Sequence, residues 1–155
     1  MGLKEELGLK RNFTNPAHEA LLNIYHTGAI LKKRSREFFS EYGITDVQFN
    51  VLALLCHQSS DNEGVTQAQL SQMMLVNRAN VTSIIDRMEK ADLVARTPVP
   101  GDRRCNAIQL TAKGLGIFKE VEEKYDRNVL EIMSVLFDEE VSQLVGMLER
   151  VRNNL

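Results

Sequence analysis

The sequence predicts a mainly α-helical protein with one small β-hairpin. Three observations indicate this fold class. Apolar residues recur at helical spacing over most of the chain, capping residues precede these stretches, and a single segment alternates apolar with polar residues as a half-buried strand does. The 155 residues fit one domain, or a small domain with helical extensions.

The first long helix is expected to begin at Asn15-Pro16, because an asparagine cap followed by proline in the first turn is a typical helix start. Apolar residues then follow at helical spacing until Gly43, which ends the helix. Residues 1–14 form an N-terminal extension that lacks the apolar core of a signal peptide. No apolar run reaches the roughly 18 residues of a membrane span.

The second helix is expected from Val47 to about His57, opened by a capping-box pattern at Thr45-x-x-Gln48. Its residues are apolar on nearly all sides, so the helix should be buried, and Cys56 within it should be a packed thiol. Ser59–Gly64 reads as a polar loop.

Two further helices lie close together in the sequence. A second capping box, Thr66-x-x-Gln69, opens a short helix through Met74, and Asn77 is placed to cap another helix through Ala91. Because only two residues separate Met74 from Asn77, the helices must cross steeply. This is the geometry of a helix-turn-helix.

A β-hairpin follows directly, with strands at Leu93–Pro98 and Asn106–Leu110 and a turn at Val99–Arg104, whose tip contains Pro100-Gly101-Asp102. Two helices complete the chain, capped by Thr111 and Asp138. Each carries a long apolar stripe: Ile117, Val121, Tyr125, Val129, Ile132 and Leu136 on the first, and Val141, Leu144, Leu148, Val151 and Leu155 on the second.

The helix that begins at Asn77 has the pattern of a DNA-recognition helix. Such a helix presents short polar or basic side chains to the major groove and buries its apolar residues on the other side. Val81, Ile84, Ile85 and Met88 form the apolar stripe. The polar residues left outside are Asn77, Arg78, Asn80, Thr82, Ser83 and Arg87. Taken alone, these could equally be solvated residues of a surface helix.

The hairpin shifts the balance towards DNA binding. Arg103 and Arg104 near its tip suit phosphate contact or insertion into a narrow minor groove, and Asp102 could hold the arginines by a charge-assisted hydrogen bond. The net charge of −2 conceals a contrast between two regions. Residues 76–104 include six basic and four acidic residues, whereas residues 115–150 include four basic and nine acidic residues. We expect the more basic region to face DNA.

At these residues the chain resembles the MarR family of bacterial regulators. The matching stretches are ITDVQFNVLALL at 44–55, VTQAQLSQMMLVNRANVTSIIDRMEKADLVART at 65–97, GDRRCNAIQLTAKG at 101–114 and the two C-terminal helices. The Asp-x-Arg motif of the family's wing falls on Asp102 and Arg104, followed by Leu110-Thr111. The family usually carries glycine where Asp92 stands, at a position that needs a left-handed backbone, which Asp tolerates better than most residues.

The resemblance implies a winged helix-turn-helix plus a helical dimerisation region. Residues 44–111 would form the DNA-binding domain, and residues 15–43 and 112–155 the dimerisation region of a homodimer. The expected partner is double-stranded DNA with a palindromic operator, and the protein would be a cytoplasmic repressor. A small aromatic or anionic effector would release it; Tyr25 and His26 are placed to line such a ligand site. Arg104 would reach the minor groove, supported by Asp102.

Several other functions are not expected. His18, His26 and His57 lack the spacing of metal ligands, no cofactor motif is present, and no catalytic arrangement appears, so the chain should not be an enzyme. Cys105 follows two arginines that would favour a thiolate, which leaves its redox activity open. The alternative function is a winged-helix protein-interaction module without DNA affinity, since fold alone does not fix function.

Overall fold

The computed structural model describes residues 2–58, 64–74, 78–99 and 102–155, with the backbone alone at 78 and 102–105. The chain divides into two compact units, Met1–Leu54 and Leu55–Leu155.

The first unit contains α1 (Leu3–Glu6), α2 (Pro16–Ser40) and the start of α3 (Asp46–Gln58). The predicted cap of α2 is confirmed, because Asn15 Oδ1 accepts a hydrogen bond from the backbone N–H of Ala17 at 2.9 Å. The helix ends before Gly43, whose φ of 68° belongs to the left-handed region that favours glycine. The short helix α1 was not expected within the N-terminal extension.

The helix α3 is enclosed along most of its apolar side, as expected. Phe49 and Val51 are buried, and the Phe49 ring lies 4.8 Å from that of Phe39 on α2. The capping box at Thr45-x-x-Gln48 is also confirmed, since each side chain accepts a hydrogen bond from the other residue's backbone N–H. The expectation of full burial was too broad. Val47 near the start of the helix and His57 near its end are exposed, and Cys56 is only half-buried.

The second unit contains β1 (Val65–Thr66), α4 (Gln67–Met73), α5 (Arg78–Lys90), β2 (Val94–Val99), β3 (Asp102–Leu110), α6 (Ala112–Met133) and α7 (Asp138–Arg152). The strands form an antiparallel sheet in the order β1-β3-β2. The hairpin β2–β3 is therefore confirmed, but the expected turn at Val99–Arg104 was too long: Val99 still belongs to β2, and β3 already begins at Asp102, because pairing between the strands continues towards the tip. The strand β1 was missed, because two residues are too few to show an alternating pattern.

Capping side chains begin α4 and α6 as expected. Thr66 and Gln69 complete a capping box, and Thr111 Oγ1 accepts the backbone N–H of Gly114 at 3.0 Å. The expectation for α7 was wrong: Asp138 is its first helical residue, not its cap. The backbone N–H of Phe137, the residue just before the helix, instead donates a hydrogen bond to Glu140 Oε2 at 2.8 Å.

The core of the second unit lies where α4, α5 and the sheet meet. Its buried apolar side chains come from these elements, from α6 and from the segment between α5 and β2: Leu70, Val81, Ile85, Met88, Leu93, Val94, Ile108, Phe118 and Val121. Burying a side chain of this size contributes about 1.5–3 kcal/mol, so these residues hold α5 and the hairpin in place. In contrast, α7 buries none of its residues within the chain.

Among the described residues, no helix combines the length and the apolar character that crossing a bilayer demands.

Candidate nucleic-acid interface

The two sides of α5 differ sharply in burial. Val81, Ile85 and Met88 are fully buried and Ile84 is 9% exposed, so the helix is fixed in its rotation about its own axis. The expected apolar stripe is therefore confirmed. The opposite side is open to solvent and includes Asn80, Thr82, Ser83 and Arg87. This solvent-facing polar side of α5 is the geometry that reading a major groove requires.

Within that exposed side, the long side chain of Arg87 folds along its own helix. Its Nε donates a hydrogen bond to the backbone carbonyl of Ser83 at 3.2 Å. Of the other expected residues, Asn77 lies outside the described residues, and Arg78 is the first residue of α5 but its side chain lies outside the description.

The hairpin β2–β3 follows α5 and is anchored at its base. Val94 pairs with Leu110 and Arg96 with Ile108, and the Ile108 side chain is fully buried. The strand register shifts between Pro98 and Val99, just before the tip. Arg103 and Arg104 belong to the first residues of β3, next to Asp102. The side chains of these three residues, and that of Cys105, lie outside the described part of the chain.

A cluster of charged residues that sequence reasoning missed joins the hairpin to α5. Arg96 of β2 directs Nη2 at Asp86 Oδ1, 2.5 Å away, and Nη1 at Glu89 Oε2. Its backbone N–H also donates to Glu89 Oε1 at 3.3 Å. We name these three residues the Arg96 cluster. From the sequence, Arg96 counted only as one more basic residue; the pairing needed the placement of β2 beside α5.

Arg96 keeps its positive charge within this cluster. Partial burial of the guanidinium opposes that charge, but the hydrogen bonds and the attraction from Asp86 and Glu89 outweigh it and raise the pKa of Arg96. The side chain is only 21% exposed, against 51% for Asp86 and 41% for Glu89. The arginine is thus the inner member of the cluster, and the carboxylates are the outer members.

The end of α5 is joined to the start of α6. Asp92 has a φ of 57°, which confirms the expected left-handed backbone at this position. Its carbonyl accepts a hydrogen bond from Thr111 Oγ1 at 2.6 Å, and the carbonyl of Ala91 accepts one from Lys113 Nζ at 2.8 Å. We name this contact the α5–α6 junction. It satisfies carbonyl groups that a helix end leaves without partners.

The two residues expected at a ligand site both lie on α2. The Tyr25 side chain is 67% exposed. The His26 Nε2 atom lies 3.3 Å from Glu6 Oε2 of α1, so the N-terminal extension reaches this part of α2. In the second unit, His57 Nε2 similarly lies 3.2 Å from Glu122 Oε1. The described histidine, cysteine and acidic side chains form no group of three or more that could hold a metal ion.

The fold and the exposed polar side of α5 together define a winged helix-turn-helix protein. Comparisons with known proteins agree with this class. A model of the MarR family matches residues 42–104, which run from just before α3 into the hairpin. The regulator PecS from Dickeya dadantii (strain 3937) is 32% identical over 117 residues, which cover 76% of this chain and 70% of PecS.

Other similar proteins extend over more of the chain. The transcriptional repressor MprA from Escherichia coli (strain K12) is 28% identical over 142 residues, 90% of this chain and 80% of MprA. The MarR family regulator AbsC from Streptomyces coelicolor has a similar structure, with a TM-score of 0.83 at 21% identity over 94% of this chain and 97% of AbsC.

The chain belongs to the MarR family and is a DNA-binding transcription regulator. The resemblance inferred from the sequence is therefore confirmed. Because members of the family are transcription regulators, the expectation that the chain is not an enzyme is confirmed as well.

Proposed function

We propose that the protein is a homodimeric repressor in the cytoplasm that binds a palindromic operator and is released by a small-molecule effector. Residues 44–111 form its DNA-binding domain, and residues 15–43 and 112–155 form its dimerisation region. The two copies of α5 enter successive major grooves, about 10 base pairs apart, because a two-fold dimer presents its recognition helices to half-sites one helical turn apart.

The observation that carries this proposal is the two-sided burial of α5. A buried apolar stripe fixes the helix, while the solvent-facing side holds side chains that hydrogen-bond to base edges. Asparagine reads adenine and arginine reads guanine, each with two hydrogen bonds. We assign direct or phosphate contacts on this helix to Asn77, Arg78, Asn80, Thr82, Ser83 and Arg87.

The hairpin supplies the second contact with DNA. We assign Arg103 and Arg104 to the phosphates or the minor groove beside each half-site, and Asp102 to holding the arginines by a charge-assisted hydrogen bond. The pairing of β2 with β3 supports this role, because a hairpin anchored by the buried Ile108 can present its tip at a fixed distance from α5.

Exposed apolar side chains on the C-terminal helices support a dimer. In soluble proteins, an exposed apolar surface of this extent marks an interface, and two-fold symmetry is the usual arrangement. The large apolar side chains exposed on α6, on α7 and around them are Val129, Leu130, Val135, Phe137, Val145, Met147, Leu148, Val151 and Leu155.

The effector acts by binding the free and the DNA-bound conformations unequally, because a ligand shifts an equilibrium only by its differential affinity. We assign Tyr25 and His26 to its site. The exposure of Tyr25 and the position of His26 on the same turn of α2 support a site that accepts an aromatic or anionic molecule.

Selection of bound duplexes from random DNA tests the proposal directly. The purified protein should enrich a palindrome with half-sites about 10 base pairs apart, and its affinity for that duplex should fall steeply as salt rises, because phosphate contacts release counterions. Failure to enrich any duplex, or binding insensitive to salt, would instead favour the protein-interaction module.

A further inference from the structure

The exposed side of α5 carries acidic as well as basic side chains, although it faces DNA under the proposed function. Asp86 lies three and four residues after Ser83 and Thr82, so it occupies the same exposed side of the helix one turn further on. Glu89 lies three residues beyond Asp86. Two uncompensated carboxylates there would repel the phosphates that the helix must approach.

Arg96 is shared by both carboxylates and offsets one of their two negative charges. Its guanidinium presents two nitrogens in a fixed fork, one to each carboxylate, and it approaches from β2 on the protein side of the helix. Because Arg96 is the most buried member of the cluster, it does not compete with DNA for space. A lysine offers a single point charge and cannot match both carboxylates in this way.

We propose that Arg96 is a positioning residue for DNA binding, acting through Asp86 and Glu89: it masks their negative charge and thereby allows α5 to approach the phosphate backbone. This inference rests on the proposed role of α5 at DNA. It assigns to the base of the hairpin an electrostatic function that is separate from the contacts of the hairpin tip.

The test measures affinity for the duplex selected by the wild-type protein, at about 0.05 M and about 0.3 M salt, where screening of the carboxylates differs most. Arg96→Met should weaken binding by about tenfold at the lower salt and by less at the higher salt, with a shallower salt dependence. Arg11→Met in the N-terminal extension, at an exposed position, changes the net charge equally and should change affinity by less than about twofold.

Rescue separates charge masking from a purely mechanical tie between β2 and α5. Asp86→Asn and Glu89→Gln, added to Arg96→Met, should restore affinity to within about threefold of wild type, because no charge remains to be masked. The matched control adds Glu139→Gln and Glu149→Gln on α7 to Arg96→Met, which gives the same net charge and should restore little.

A second combination keeps the test decisive if Arg96→Met folds poorly. Asp86→Asn with Glu89→Gln in the presence of Arg96 should bind more tightly than wild type and with a steeper salt dependence, because the arginine charge is then uncompensated. Weaker binding by this variant would overturn the proposal.

Three other results would overturn it as well: an Arg96→Met variant that binds like Arg11→Met, a triple variant that stays as weak as Arg96→Met, or equal rescue by the α7 control. In each case the wild-type protein still binds its duplex. If the wild-type protein binds no duplex, the proposed function itself has failed.

Discussion

Asp92 just after α5 and Asn80 within it have different roles, and the surroundings of each residue explain its role. Asp92 holds the left-handed backbone at which the helix stops, with a φ of 57°. Such a conformation costs most L-residues roughly 1–2 kcal/mol, and Asp less, because its short side chain can form local hydrogen bonds. Asn80 stands on the exposed side of the same helix, and the proposed function assigns its amide to a base.

Replacing Asp92 tests the backbone argument. Asp92→Ala should be less stable than Asp92→Gly by about 1 kcal/mol, because glycine adopts a positive φ freely and alanine does not. Chemical denaturation at one fixed protein concentration measures the difference. Equal free energies of unfolding for the two variants would contradict the assigned strain.

Replacing Asn80 tests base recognition. Asn80→Ala should reduce affinity for the selected duplex by about 1–3 kcal/mol and relax the preference at one position of each half-site. Repeating the selection with the variant shows which base is no longer chosen. An equal loss of affinity on all duplexes would assign Asn80 to phosphate contact instead.

At the scale of elements, the α5–α6 junction ties the recognition helix to the long helix that leaves the winged domain. Besides its hydrogen bonds, the junction depends on a close approach of backbones. A Cβ atom at Gly114 would lie 2.0 Å from the carbonyl oxygen of Leu93, which is backbone and cannot rotate away. The direction of α5 and the direction of α6 are therefore fixed together.

A pair of glycine substitutions on α6 tests this close approach. Gly114→Ala should lower the free energy of unfolding by about 1–3 kcal/mol, the usual cost of overpacking. Gly116→Ala, whose Cβ would meet nothing within 4 Å, should instead raise it by up to about 1 kcal/mol, because alanine favours the helix. Thermal or chemical unfolding separates the two, and a stable Gly114→Ala protein would show that the junction can open.

The whole molecule exposes its apolar surface unevenly. The winged part is closed over a buried core, whereas α7 buries no residue and presents apolar side chains along its length. The predicted stripe of α7 is half-buried at Val141 and Leu144 and exposed at Leu148, Val151 and Leu155. A second copy of the chain would cover it under the proposed function.

Placing a charged residue on the exposed apolar surface of α7 tests whether that surface forms the dimer interface. Leu148→Glu should weaken dimerisation by about 3 kcal/mol, or roughly a hundredfold, because two-fold symmetry removes two leucines that the proposed dimer would bury, at about 1.5 kcal/mol each. Gln143→Glu on the same helix adds the same charge at an exposed polar position and should leave the dimer intact. Sedimentation equilibrium measures both; a dimeric Leu148→Glu variant would place the interface elsewhere.

The sequence by itself determined the six longer helices, most of their starts and the hairpin, because capping, apolar periodicity and turn residues act over a few neighbouring positions. Asn15, Thr45, Thr66 and Thr111 all cap as expected, and the apolar stripe of α5 alone sets which side faces solvent. Where the local signal was ambiguous, as at Asp138, the expected cap was wrong.

Only the tertiary structure decided which distant residues meet. Arg96 and Asp86 are ten residues apart, and Thr111 and Asp92 nineteen. No local pattern specifies such pairs, because they depend on how β2 and α6 pack against α5. The two-residue strand β1 arises in the same way, from the open edge that β3 offers to Val65 and Thr66. Local chemistry thus fixed the elements, and packing between them fixed the charge distribution that DNA would meet.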